Sequence, residues 1–252
     1  DFRLKYCDER YEYVKPLLYS AGNGLICDRT MYKKTPSKEI INNGNYPIYV
    51  IRVGGKGYKV GLGGGSCSSR NQSESNSKQD MIAVQRGNPE MENRVVRFVE
   101  SCSEIGLILS IHDQGSGGMA NVTKEIVTPC GADIFLNKVS LGDKSMNDFE
   151  IWNSEYQEQC SILVESKHIE TCKIIAKREN VPLDIVGVLN SSGKIRVFSK
   201  NSKNNNGEIV LNFNLQDIEE LPKQKIVVPV DQLTREVIPL TSDVFDFVPI
   251  EP

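Results

Sequence analysis

The chain has 252 residues, 39% hydrophobic and 25% charged, with 30 Lys and Arg against 33 Asp and Glu for a net charge of −3. That length suits one large domain or two small ones, and the charge balance gives no basic excess to draw the chain to nucleic acid or an anionic membrane. No apolar run is long enough to cross a bilayer, and the two histidines rule out a His-rich zinc site. The seven cysteines are odd in number and form no CxxC, which fits reduced thiols in a cytoplasmic protein better than a disulfide framework. The start, "DFRLKYCDERYEY", is charged, lacks an initiator Met and is no signal peptide, so the chain reads as a piece of a longer protein.

In chain order, residues 13–31 read as two short apolar strands around a Ser-Ala-Gly-Asn-Gly turn, followed by a polar linker. "IYVIRVGG" (48–55) and "YKVGLGGG" (58–65) read as strands ending in glycines, and the polar stretch 66–79 as a mobile loop. A helix starts at Asn88, a good cap, with Pro89 in the first turn and Glu90 and Glu92 favouring the positive helix end. Met91, Val95, Phe98, Val99, Cys102 and Ile105 share one helical face, and Gly106 ends it. Strand 107–112 leads through a glycine turn into a short helix, 118–127, with Met119, Val122 and Ile126 inward. Strand 134–139, an acidic loop, strand 159–165, helix 167–179 and strand 183–189 complete the pattern. This alternation predicts an α/β sandwich, a mixed sheet packed by helices, over residues 46–200. Residues 199–207 read as a surface insertion, and the proline-bearing stretch beyond Leu221 as an extended connection or tail.

Four stretches carry candidate chemistry. In "GLGGGSCSS" (61–69), glycines after a strand let backbone N–H groups approach a phosphate, although a plain tight turn explains them as well. It is neither a Walker A loop nor a dinucleotide fingerprint: no GK[ST] follows, and no helix clearly starts there. In "HDQGSGGMANVTKEI", Asp113 sits at a strand tip, and Gly115, Gly117 and Gly118 lead into a helix start. A carboxylate there suits Mg²⁺ bridging to phosphate oxygens; capping alone rarely needs three glycines nearby. In "FEIWNSEYQEQ" (149–159), polar side chains surround the lone tryptophan, which fits either a ligand's amides and hydroxyls or a solvated loop. In "AVQRGNPEME" (83–92), Gln85 and Arg86 precede a helix start that capping also explains.

Taken together and in order, "VGLGGGSCSS", "AVQRGNPEME", "HDQGSGGMAN" and "FEIWNSEYQEQ" closely resemble the phosphoribosylformylglycinamidine (FGAM) synthase family in its large form. "KPLLYSAGNGLI" (15–26) looks like a further stretch of that family, so the resemblance runs from about residue 13 to 200. It implies an aminoimidazole ribonucleotide synthetase-like C-terminal domain at 46–200, preceded by the tail of an N-terminal domain and linker at 1–45 and followed by a polar insertion and connection at 201–252. Strands at 13–35 would then lack their partners and be poorly ordered, add to another molecule, or pack unnaturally. The implied reaction converts formylglycinamide ribonucleotide (FGAR), ATP and glutamine to formylglycinamidine ribonucleotide, ADP, phosphate and glutamate.

Position by position, the resemblance makes Asp113 the Mg²⁺ ligand, and Gln85, Glu155, Tyr156 and Gln157 substrate contacts. Gly63, Gly64, Gly65 and Ser66 fall in the glycine-rich loop on the ATP side. Ser116 replaces the alanine usual in the family, and loop 70–79 departs from its acidic pattern. No glutaminase nucleophile is recognisable, so the chain is expected to need the other domains of its parent, including a glutaminase, and to be inactive alone. The rival readings are another ATP-dependent superfamily member, of the aminoimidazole ribonucleotide synthetase or selenophosphate synthetase kind, or a non-catalytic nucleotide-binding scaffold.

Overall fold

A computed structural model describes residues 3–6, 9–12, 38–69, 83, 87–156, 158–202 and 207–219. The strands expected at 13–35, loop 70–79, Gln85, Arg86, Gln157 and the stretch beyond Leu221 lie outside them. The chain forms two units, Asp1–Gly24 with Pro222–Pro252 and Leu25–Leu221. The first contains an antiparallel hairpin of β1 (Arg3–Tyr6) and β2 (Glu9–Glu12), with Arg3 opposite Glu12.

The second unit is built on a seven-stranded mixed sheet. Its strands are β3 (Ile48–Gly54), β4 (Ser110–Asp113), β5 (Ala132–Phe135), β6 (Gln159–Glu165), β7 (Leu183–Leu189), β8 (Lys194–Phe198) and β9 (Ile209–Asn214). They run in the order β4-β6-β3-β7-β5-β8-β9, antiparallel throughout except for the parallel β5–β8 pair. The helices are α1 (Lys38–Asn43), α2 (Gly64–Ser69), α3 (Pro89–Glu104), α4 (Gly118–Val127), α5 (Asp148–Asn153), α6 (Ile169–Glu179) and α7 (Leu215–Glu219).

Strand β3 explains the layering. Ile48 and Val50 point into a core shared with Met119 and Ile126 of α4 and Ile151 and Trp152 of α5. Ile51 and Val53 point the other way, into a core shared with Phe98 and Cys102 of α3 and Cys172 and Ile175 of α6. A strand covered on both faces has no polar side to alternate with, hence the near-continuous apolar run.

Helix α3 forms as its sequence dictates. The Asn88 side chain accepts the Met91 N–H at 3.1 Å, and Val95, Phe98 and Cys102 are buried. At its end Leu107 N–H reaches Cys102 O at 3.0 Å and Gly106 N–H reaches Ser103 O at 2.9 Å, the paired bonds of a glycine C-cap. Because Gly106 turns the chain, Ile105 falls off the expected stripe and is 58% exposed.

Several expectations need correction. Residues 58–65 form no strand: Gly61 and Gly63 adopt φ of +71° and +70°, which breaks extended pairing, and only isolated bridges at Gly57 and Leu62 remain. Gly64, Gly65 and Ser66 instead open α2, where no helix was expected. Strand 134–139 shifts to 132–135 and passes into a 3₁₀ turn, Leu136–Lys138. The acidic loop contains α5, started by reciprocal bonds between Asn147 and Glu150 at 2.9 and 2.8 Å. Residues 209–214, read as part of an insertion and connection, form the edge strand β9.

Candidate functional site

Strand register brings the motif stretches to one end of the sheet. Gly54, the last residue of β3, pairs with Gln159, the first of β6. Asp113, the last of β4, pairs with Cys160. The segments leaving β3, leaving β4 and entering β6 therefore emerge side by side.

Glu155 ties these segments together. It is 4% exposed. Its carboxylate accepts the Gly65 N–H at 3.1 Å and the Gly117 N–H at 3.0 Å, while its own N–H reaches Gly61 O at 3.2 Å. One acidic side chain thus joins the glycine loop to the turn after Asp113. The approach is close enough to demand glycine: a Cβ on Gly118, at φ +57°, would lie 2.4 Å from the Ser154 carbonyl oxygen. Gly63, Gly64 and Gly65 are partly exposed beside this junction and Ser66 is exposed.

Asp113 differs from Glu155 in presenting its side chain to solvent, 90% exposed. The neighbouring His112 ring lies between the Asp113 carbonyl oxygen, 2.7 Å from Nδ1, and Glu125 Oε2, 2.5 Å from Nε2. Among the described residues no group of three or more His, Cys, Asp or Glu could hold a metal ion by itself. The donor offered is one hard, exposed carboxylate oxygen pair, which suits Mg²⁺ completed by water and phosphate oxygens and does not suit an all-protein cage.

Tyr156 is interior, 2% exposed, with the Arg52 guanidinium 5.2 Å from its ring centroid. Burial pushes its hydroxyl above the usual phenol range, opposed by the nearby Arg52 charge. Tyr156 helps to line a cleft of about 590 Å³, with Gly55, Lys56, Asn88 and Glu158. Burial pushes the Cys160 thiol up to about 12 and also raises Cys130, so neither of these two offers a nucleophile.

Sequence reasoning missed Arg52 and Asp184. Arg52 is fully buried in β3, donating to Asp184 Oδ2 at 2.7 Å and to Gln159 Oε1 at 2.6 Å, and also to the Gly55 carbonyl. Asp184 in turn accepts the Ser140 N–H at 2.8 Å and hydroxyl at 2.6 Å. The available signal was an Arg inside "IYVIRVGG" and an Asp inside "LDIVGVL", since charges buried in strands need partners. Their pairing is a tertiary fact of the β3–β7 register.

Residues 49–200 match the family of the AIR synthase related protein, C-terminal domain. The chain belongs to that family. It is 34% identical over 240 residues to phosphoribosylformylglycinamidine synthase of Dictyostelium discoideum, which spans 92% of this chain and 17% of that protein. It is 40% identical over 189 residues to an Arabidopsis thaliana protein named "Probable phosphoribosylformylglycinamidine synthase, chloroplastic/mitochondrial", covering 74% of this chain and 13% of that one. The chain thus spans less than a fifth of the length of these relatives. In fold it is similar to Thermotoga maritima PurL complexed with FGAR, with a TM-score of 0.66 at 21% identity over 84% of this chain and 32% of the other. The same protein complexed with ATP gives 0.62 at 20% identity, over 79% and 29%.

Proposed function

We propose that this chain is the acceptor-binding synthetase domain of a phosphoribosylformylglycinamidine synthase, a ligase that uses FGAR, ATP and glutamine to give formylglycinamidine ribonucleotide, ADP, phosphate and glutamate. The observation that supports it most is Glu155, whose carboxylate holds the glycine loop and the Asp113 turn in one assembly. Three motifs far apart in sequence meet there, and similarity to named synthases covers all of them.

The work of the site is positioning and charge neutralisation, as phosphoryl transfer to an amide oxygen requires. Asp113 would hold Mg²⁺, which when bound supplies charge neutralisation at the ATP phosphates. Gly63, Gly64, Gly65 and Ser66 bring a low-profile backbone to the ATP side. Glu155 fixes the loop and is assigned to the substrate side of the site. Gln85 and Gln157 are assigned to the FGAR amide. Tyr156, being interior, serves by fixing the loop and not by facing solvent. Ammonia would come from a glutaminase domain of the parent protein, and a cytoplasmic location is part of the same reading. No helix among the described residues is long and apolar enough to cross a membrane.

The test is FGAR-dependent ADP formation by the full-length protein and its Asp113→Asn variant. Removing the metal-holding carboxylate is expected to lower kcat/KM by at least roughly 10–100-fold, the loss that follows when an outer partner of a metal ligand is removed. Unchanged turnover in the variant would instead favour a scaffolding role.

A further inference from the structure

The Arg52 cluster does more than close an ion pair. Three of its attachments lie where the β6-entry segment Tyr156–Gln159 meets the end of β3: the Gln159 side chain, the Gly55 carbonyl and the Tyr156 ring. The fourth, Asp184, is immobilised by two bonds from Ser140, so the guanidinium is held from behind. Between Tyr156 and Gln159, Glu158 adopts φ +55°, a left-handed conformation that a non-glycine residue takes at a cost. Its carbonyl accepts the Gly55 N–H at 3.2 Å, so the strained residue is pinned to the same point that Arg52 grips. A buried ion pair is a poor stabiliser compared with apolar side chains of equal size, because both charges lose their water. A planar fork with several fixed donors is instead a good device for setting a loop's shape.

We propose that Arg52 is a positioning residue for the acceptor substrate: by gripping Gly55, Tyr156 and Gln159 at once, it sets the conformation of the segment that forms one wall of the cleft beside Lys56 and Asn88. This rests on the reading of the chain as the FGAR-binding domain. Arg52 has no exposed surface to offer a ligand. It acts through the segment it holds, so its loss raises the KM for FGAR and leaves the KM for ATP where it was.

The experiment uses the full-length protein with Arg52→Lys and Gln159→Met. Lysine keeps a positive charge facing Asp184 and loses the fork; methionine removes one anchor and leaves the Arg52–Asp184 pair intact. Expected for Arg52→Lys is a KM for FGAR raised roughly tenfold with kcat within about threefold, the pattern of a misplaced wall and not of lost chemistry. Gln159→Met should move the same constant in the same direction, less far. Hydrogen exchange should quicken at 155–159 while Val50, Ile51 and Val186 stay protected. A wild-type KM for FGAR in a folded Arg52→Lys protein overturns the proposal, as do FGAR and ATP constants that rise together. If Arg52→Lys does not fold, Gln159→Met decides by the same constants. If the wild-type protein shows no FGAR-dependent turnover, the functional reading falls instead, and a failure of exchange to quicken at 155–159 in the variants still overturns the grip assigned to Arg52.

Discussion

Glu155 shows how much one side chain decides at this site. Glu155→Ala would leave the Gly65 and Gly117 amides without this acceptor, and bonds to a charged group are worth roughly 1.5–3 kcal/mol each, net of exchange with water. A fall in stability of about 2 kcal/mol or more is expected in denaturant titration, together with loss of FGAR turnover. Asp113→Asn should behave oppositely, lowering turnover while leaving the melting temperature unchanged, because its side chain is 90% exposed. The buried Cys160 makes a pH prediction. Its thiol holds its proton to about 12 in the folded chain against 9.0 when unfolded, so the folded state binds that proton more tightly. Its contribution to stability is complete below pH 9 and is lost as pH rises from there towards 12. Unfolding followed against pH should show a shallower alkaline decline in Cys160→Ala than in the parent chain. The exposed Asp113 was legible in sequence from its strand tip and glycines; the inward turn of Glu155 was not, because its partners are 90 and 38 residues away.

Among the elements, the most readable were those whose signals are local. Helix α3 carries its cap, its first-turn acids, its stripe and its stop within the stretch 88–106, and the structure reproduces each save Ile105. Asn88→Ala should cost about 1 kcal/mol by removing the bond to the Met91 N–H, visible as a lowered melting temperature. Strands β6 and β7 fall on their expected bounds because they are apolar runs between polar turns. The glycine loop was misread for the opposite reason. "YKVGLGGG" has the composition of a fading strand, but two positive-φ glycines and the Glu155 contact bend it into α2, and the Glu155 partner lies 90 residues away. Strand β9 was obscured by the polar insertion before it, and its pattern is half exposed because it forms a sheet edge.

At the scale of the whole molecule, β9 is part of the fold and not an appendage. Leu211 and Phe213 pack against the core between the sheet and α4–α5, and β9 pairs with β8 along five positions. A chain ended at residue 200 should lose cooperative unfolding in a thermal melt, since it uncovers the β8 edge and part of that core. The chain spans 17% and 13% of two relatives named as synthases. Supplied alone with FGAR, ATP, Mg²⁺ and ammonia, it is therefore expected to show no ADP formation above background; measurable turnover would contradict the assignment of catalysis to the combined domains.

The sequence by itself determined the α/β class, the best-signalled elements and the likeness to the synthase family, because propensities, caps and motifs act over a few residues. It also placed Asp113 at a strand tip, where an exposed carboxylate stands in the structure. Tertiary structure alone decided which motif residues face inward. Glu155 and Tyr156 look like exposed loop residues in "NSEYQEQ", yet the register of β6 against β3 and β4 turns one into a bridge between two backbone turns and the other into the lid of a buried arginine. Arg52 and Asp184, unremarked within two apolar strands, became partners only when those strands lay side by side, since a buried charge takes its meaning from the neighbour that long-range pairing supplies.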